Sequence, residues 1–363
     1  IEPQKHFDIL TYTGNDSSDR TITGLEFKPD LVWIKNRDQS DWHIFTDSVR
    51  GANTHMYPNN TDGDSTDNTN GHVNYYTTGG FNVTAGAQGN VNENNEDYVA
   101  WCWKGGGNSN TYNIDGTGYG TASAAGLDGG TIDPDGASIN TEAGFSIITY
   151  TGNGTTGATV AHGLGKKPSW VVIKCRSNTD NWMVNHQKID HSDPEDYYLE
   201  FNEGTSRVNS TIMLNDTAPT STLVTLGSDN SVNGSSRTYV MYCWAEIPGY
   251  SKIGQYKGNG SADGTFVHLG FRPAWIIVKK STDDNWPIYD YKRDPHNVGD
   301  HRIFADTNVV EGAVGQEHID FLSNGFKWRR AKNPFNNSDS DFIYMAFAKR
   351  PGITPFDTFA NSR

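Results

Sequence analysis

The chain alternates short apolar runs with long polar stretches, and the runs return in a fixed order. FDILTYTGN begins at Phe7, FSIITYTGN at Phe145 and SKIGQYKGN at Ser251. A proline-led run follows each: PDLVWIK from Pro29, PSWVVIK from Pro168 and PAWIIVK from Pro273. Next comes an aromatic in a polar turn, at Asp41-Trp42, Asn181-Trp182 and Asn285-Trp286. YVAWCWK from Tyr98, YVMYCWA from Tyr239 and FIYMAFA from Phe342 close each series, with Asn92, Asn233 and Asn336 six residues ahead. Four blocks kept in order three times mark an internal repeat.

The blocks predict strands. LVWIK, WVVIK and WIIVK are continuously apolar and β-branched until Lys35, Lys174 and Lys279, as a strand covered on both faces is. The proline ahead of each cannot donate to a ladder and suits a strand's first residue. In the closing block Val99, Trp101 and Trp103 share one face, and Tyr98, Ala100 and Cys102 the other. Both faces are apolar, so this strand is also expected at the centre of a sheet. Gly, Asn, Asp, Ser and Thr fill the intervals, which is turn chemistry.

The predicted class is all-β, with three tandem β-sandwich repeats of jelly-roll or lectin-like kind, each of about 100 residues. A propeller blade of about 40–45 residues is too short for this period. The expected units are 1–104, 144–249 and 250–352, followed by a C-terminal tail at 353–363. Residues 105–143 are rich in Gly, Ser and Asp without apolar periodicity, and read as a linker or an extended arm. A separable N-terminal domain and a more compact C-terminal pair follow from that reading.

Composition narrows the partners. The formal net charge is −14, which repels a phosphate backbone and anionic membrane surfaces. No apolar run approaches the ~20 residues of a spanning helix, and no signal-peptide pattern is present. The chain begins with Ile1, as a processed or excised N-terminus does. Cys102, Cys175 and Cys243 are too few and too scattered for a disulfide framework or a zinc site, and read as buried free thiols.

Candidate chemistry is sparse. The eleven histidines are scattered; His162 and His268 fall near matching turns where the first repeat has Thr23-Gly24. HExxH, GxSxG and Walker patterns do not occur. Carboxylates do not recur at equivalent strand positions, although the carboxylate pair of a glycosidase is defined by spatial separation, not by sequence. Asp62 and Asp64, within NNTDGDSTDNTNG from Asn59, are spaced like the first two ligands of a calcium loop. No glutamate closes that loop, and a solvated surface loop is the expectation. A Trp beside Asn or Asp, as at 42, 182 and 286, suits stacking on a sugar ring. Yet these residues share strand parity with Ile44, Val184 and Ile288, which predicts indoles that point inward. Trp101 and Trp103 correspond to Tyr242 and Trp244 and to Met345 and Phe347, so bulk recurs rather than chemistry. The triplets Asn153-Gly-Thr and Asn259-Gly-Ser follow from composition. No catalytic, cofactor-binding or metal residue is assigned, and no enzyme is expected.

The blocks resemble a family of repeat-bearing virion proteins encoded by marine bacteriophages. The resemblance rests on YTGN at 12–15 and 150–153, FKPDLVWIKNR at 27–37 and DSVRG at 47–51. It also rests on YVAWCWKGGG at 98–107 and on AGFSIITYTGNG…HGLGKKPSWVVIK across 143–174. The third repeat, with QYKGN and FIYMAFA, departs from the pattern as a specialised copy. The resemblance implies a structural or tail-fibre-like protein on a virion and carries no catalytic residues. The expectation is a non-enzymatic fibre, spike or decoration appendage exposed for host attachment, without cofactor. Its expected partners are copies of itself, as in trimeric fibres, other virion proteins and host surface glycan, with no nucleic acid and no membrane insertion. A carbohydrate-binding adhesin, an architectural filament subunit and a glycan-degrading enzyme are the alternatives.

Overall fold

The computed structural model describes residues 1–107, 110–312, 318–350, 352–353 and 359–360. The first series of blocks supplies β1 (Phe7–Thr13), β2 (Arg20–Thr23), β3 (Leu31–Asn36), β4 (Ile44–Asp47), β5 (His55–Met56), β6 (His72–Thr77), β7 (Gly80–Thr84) and β8 (Asp97–Trp103). Then come β9 (Tyr112–Ile114), β10 (Thr117–Tyr119) and β11 (Gly136–Asn140). The second series gives β12 (Phe145–Thr151), β13 (Thr159–Ala161), β14 (Trp170–Cys175), β15 (Met183–His186), β16 (Tyr197–Glu200), β17 (Val208–Asn209), β18 (Leu223–Thr225) and β19 (Thr238–Trp244). The third gives β20 (Ser251–Lys257), β21 (Phe266–His268), β22 (Pro273–Lys280), β23 (Pro287–Asp290), β24 (Ile303–Phe304), β25 (Ile319–Leu322), β26 (Gly325–Trp328) and β27 (Asp341–Ala348). Of the expected tail, residues 354–358 and 361–363 lie outside the described residues, while 352–353 pair with 359–360.

The protein is all-β and sandwich-built, as the pattern predicts. Its large sheets share one strand order: β1-β8-β3-β4-β5, then β12-β19-β14-β15-β16, then β20-β27-β22-β23-β24. The proline-led and closing blocks occupy the middle of each sheet, where both faces are covered. Smaller sheets, β2-β7-β6, β13-β18 and β21-β26-β25, complete the sandwiches. Tyr98, Ala100 and Cys102 face the small sheet of their own unit, with Ile22, Phe81 and Val83. The second and third units have corresponding cores around Tyr150, Met241 and Cys243 and around Tyr256, Tyr344 and Trp328. All three cysteines are buried free thiols.

The opposite face of each large sheet explains the second apolar set. Phe7, Trp33, Trp101 and Trp103 from the first unit meet Phe145, Trp170, Tyr242 and Trp244 from the second. Trp275, Ile277, Met345 and Phe347 from the third complete the same core. A central cavity of about 20 Å³ is lined from all three units, by Trp33, Trp103, Trp170, Trp244, Trp275 and Met345 among others. The first unit is therefore not a separable domain: removing it exposes the buried faces of the other two.

Residues 105–143 are not a spacer. β9, β10 and β11 extend the second unit's sheet, with β11 antiparallel to β12 and parallel to β9. Leu127, Ile132, Ala137 and Ile139 enter that unit's core. Strands of three to five residues between Gly-rich turns are too short to leave a periodicity, which is why the stretch reads as a linker. β11 also covers an edge that the other units close by side chains. Ile253 N–H donates to Glu246 Oε2 (3.1 Å) and Ile9 N–H to Asp8 Oδ1 (2.8 Å), which blunts those edges.

Candidate functional site

The YTGN motif is a latch. Tyr12, Tyr150 and Tyr256 donate their hydroxyls to the carbonyls of Val91, Val232 and Phe335 at 2.7, 2.6 and 2.5 Å. Each ring stacks at 5.1 Å on the first aromatic of the closing strand, Tyr98, Tyr239 or Phe342. Asn15, Asn153 and Asn259 donate backbone N–H groups to Oδ1 of Asn92, Asn233 and Asn336 at 3.0 to 3.2 Å. The glycine has its own reason: a Cβ on Gly14, Gly152 or Gly258 would lie 1.8, 2.5 or 2.1 Å from a backbone oxygen of the facing turn. The motif joins the two ends of each unit.

The units meet in a ring, each holding the next in the same way. Asp64 N–H donates to Arg176 O (2.7 Å), Arg207 N–H to Ser281 O (2.9 Å) and Glu311 N–H to Arg37 O (2.9 Å). These bonds run from first unit to second, second to third and third to first. One turn earlier, Trp182 Nε1 donates to the carbonyls of Tyr57 and Asn60 at 3.1 Å each. Trp286 Nε1 donates likewise to those of Glu200 (3.3 Å) and Glu203 (3.0 Å). In the first unit His43 takes that position, with Nε2 3.0 Å from Thr307 O. A carbonyl only accepts, so Nε2 carries the proton, and Nδ1 accepts from Trp33 Nε1 (2.9 Å). Burial drives the His43 pKa well below the ordinary imidazole value.

This corrects the inward reading of Trp42. β3 pairs Trp33 with Phe45, as β14 pairs Val172 with Val184 and β22 pairs Ile277 with Ile288. His43, one residue before Ile44, therefore matches Trp182 and Trp286, and Trp42 matches Asn181 and Asn285. A slip of one residue reverses the face. Trp182 and Trp286 are fully buried, whereas Trp42 is 40% exposed.

Two junctions contain a buried ionic cluster. At the first, Asp47 and Arg50, both without exposed side-chain surface, pair at 2.5 Å. Arg50 reaches Asp64 (2.8 Å), Asp64 also holds Arg176 (2.7 Å), and Tyr242 donates its hydroxyl to Asp47 (2.6 Å). Between the third and first units the pattern returns residue for residue. Arg293 pairs with Asp290 (2.6 Å) and Glu311 (2.8 Å), Glu311 with Arg37 (2.7 Å), and Trp101 Nε1 donates to Asp290 (3.0 Å). The DSVRG motif is the origin of the first cluster. At the remaining junction His186, Ile189 and Met345 replace Asp47, Arg50 and Tyr242. His186 donates to Tyr344 O (3.1 Å) and accepts from Lys188 N–H (2.9 Å), and burial lowers its pKa to about 3.

Lys35, Lys174 and Lys279 are fully buried, each with its ammonium on two backbone carbonyls. Burial brings all three pKa values down to about 8. A strand ending on lysine suggests a solvated terminus; here the cation instead closes a loop at the ring.

The remaining candidates separate. Asp64 uses both carboxylate oxygens on arginines and Asp62 accepts from Asn60 (2.9 Å), so the Asn59–Gly71 loop is a junction element, not a calcium cradle. His162 is buried and His268 exposed. Asp294, Asp300 and His301 bring potential ligand atoms within 4.8 Å of one another, a cluster the sequence reading missed because it lies in a single polar turn. Asp294 is already engaged there by His301 Nδ1 (2.5 Å) and by the N–H groups of Asp300 and His301.

The geometry defines a class: an all-β protein whose three sandwich units close into a ring through one shared apolar core and repeated polar junctions. The family model described as Domain of unknown function (DUF7483) matches residues 2–351, and the chain belongs to that family. A search of curated proteins gives no match.

Proposed function

We propose that the protein is a non-enzymatic structural module of a virion surface, a fibre, spike or decoration appendage exposed for host attachment. One observation carries this reading. The polar and charged residues of the recurring motifs are engaged in latches and junctions, so the motifs serve ring closure and the outward loops are left for contact. The resemblance of YTGN, DSVRG and the closing block to virion proteins supports the location. Self-association of this ring, as in trimeric fibres, belongs to the same reading. Antibodies raised against the folded chain test the reading on intact particles. Gold label on the particles is expected; bare particles beside label in the surrounding lysate would refute it. Host polysaccharide incubated with the chain is expected to gain no new reducing ends.

A further inference from the structure

Ring closure provides an internal control for surface residues, because each junction rim occurs three times with different side chains. The junction hydrogen bonds align Trp42 with Asn181 and Asn285, and Val309-Val310 with Asp62-Gly63 and Thr205-Ser206. Two rims are polar. Asn181 donates to Glu200 (2.7 Å) and Asn285 to Asp306 (2.7 Å). The rim between the first and third units is apolar: Trp42, Val309 and Val310 are 40, 43 and 42% exposed, while the other nine tryptophans are buried. Asn308, anchored to Ser40 O (3.0 Å), holds the valines at the same junction as Trp42.

The indole also has an aromatic neighbour. It packs against Tyr57 with ring centroids 4.7 Å apart and planes at 68°. Tyr57, the residue in place of Glu200, is buried and its hydroxyl meets His55 Nε2 (3.0 Å). Tyr57 is the aromatic ring in contact with Trp42 among the described residues, and the tryptophan stays 40% exposed. Polar residues surround it. Asp41 accepts from Asn36 (2.9 Å), and Asn59 Oδ1 accepts the His43 N–H (3.2 Å), with no partner for its amide N–H groups among the described residues.

We infer that this rim is a saccharide-binding site, in which the exposed part of the Trp42 indole packs on a neutral pyranose ring and the flanking amide and carboxylate groups bind its hydroxyls. The inference rests on the attachment role proposed above. An indole and two valines offer far less than the ~800 Å² per partner of a stable protein interface, yet they match one or two sugar rings. Aromatic platforms with hydrogen-bonding rims suit such a ligand. The net charge of −14 favours neutral over acidic glycans.

The full chain on an array of neutral hexose- and N-acetylhexosamine-terminated oligosaccharides, with sialylated ones for contrast, tests it. Binding to a subset of neutral glycans is expected, weakened at least ten-fold by Trp42→Asn, the residue type of the other two rims. Val309→Asp should weaken it several-fold and keep the wild-type unfolding midpoint, while Trp42→Asn, which gives up the Tyr57 contact, should stay folded with a modestly lowered midpoint. An array with no neutral glycan bound, preference for sialylated glycans, or binding indifferent to Trp42→Asn would overturn the inference. Particle labelling with a blank array would remove the saccharide site and leave the attachment role; bare particles with glycan binding intact would do the reverse.

Discussion

Two junctions of the ring bury an ionic cluster and one does not, although backbone bonds at equivalent positions close all three. The first–second and third–first junctions bury Asp47–Arg50 and Asp290–Arg293 without exposed side-chain surface, each extended by a further acid and a partly exposed arginine. The second–third junction fills the same space with His186, Ile189 and Met345. The same ring thus closes by either solution, so the ion pairs are one way to fill the space rather than a condition of closure. This agrees with the general balance for buried pairs, in which desolvation offsets most of the Coulombic attraction. Arginine and carboxylate are, however, mutually dependent once present.

That dependence gives the largest expected effect. Arg50→Ala leaves Asp47 and part of Asp64 uncompensated and should cost about 3–5 kcal/mol in chemical denaturation. Converting the junction to the apolar type, with Asp47→His, Arg50→Ile and Tyr242→Met together, should retain all but about 1–2 kcal/mol of the original stability. A triple variant as unstable as Arg50→Ala would show that the junctions are not interchangeable.

The contrast was only partly legible in the chain. Apolar residues on both faces of LVWIK and YVAWCWK announced central strands, because burial on each face imposes its own period-2 set. What the second face would meet was not legible: Trp101 and Trp103 look the same whether they pack on a sheet of their own unit or on neighbouring units. Asp47 and Arg50 stood out only as part of a family-like motif, since three residues apart they could equally have been a solvated turn. Asp64 resembled a calcium ligand because its partners come from separate units: Arg50 from the turn after β4 and Arg176 from the bend after β14. The one-residue offset of His43 was hidden because the visible tryptophans aligned without it. Trp42 therefore appeared to be core when only the strand pairing places it outside.

Acid should separate the junctions next. His186 is neutral when folded, with a pKa near 3 against the ordinary 6.5. Between those values the unfolded chain binds more protons, so this group's contribution is complete above pH 6.5 and falls as pH drops toward 3. At pH 5 the loss should be about 2 kcal/mol. His55, His162 and His318, lowered to about 4 by burial, add losses of the same sign elsewhere. His186→Asn supplies an acceptor for Lys188 N–H, as Asp47 and Asp290 do for Val49 and Lys292. The variant should lose about 2 kcal/mol less than wild type between pH 7 and pH 5, measured by urea unfolding. Amide exchange should quicken first in β15 and β27. An unchanged pH dependence would place the acid-sensitive step away from this junction.

The smallest effect concerns the residue at the centre of each rim. Arg207 stands where Asp64 and Glu311 stand, but its partner Asp190 (3.1 Å) is partly exposed and Arg207 itself is 28% exposed. A pair of that kind contributes about 0.5 kcal/mol, and the guanidinium over the Tyr197 ring at 4.7 Å adds a similar amount. Arg207→Ala should therefore cost about 1 kcal/mol in urea unfolding, well below Arg50→Ala. Salt should separate the two further: 0.5 M NaCl should reduce the Arg207→Ala difference and leave the Arg50→Ala difference nearly intact, because screening reaches the rim and not the dry interior. If both differences shrink alike, Asp47 and Arg50 are reached by solvent, and the junctions with an ionic cluster differ from the third in composition but not in burial.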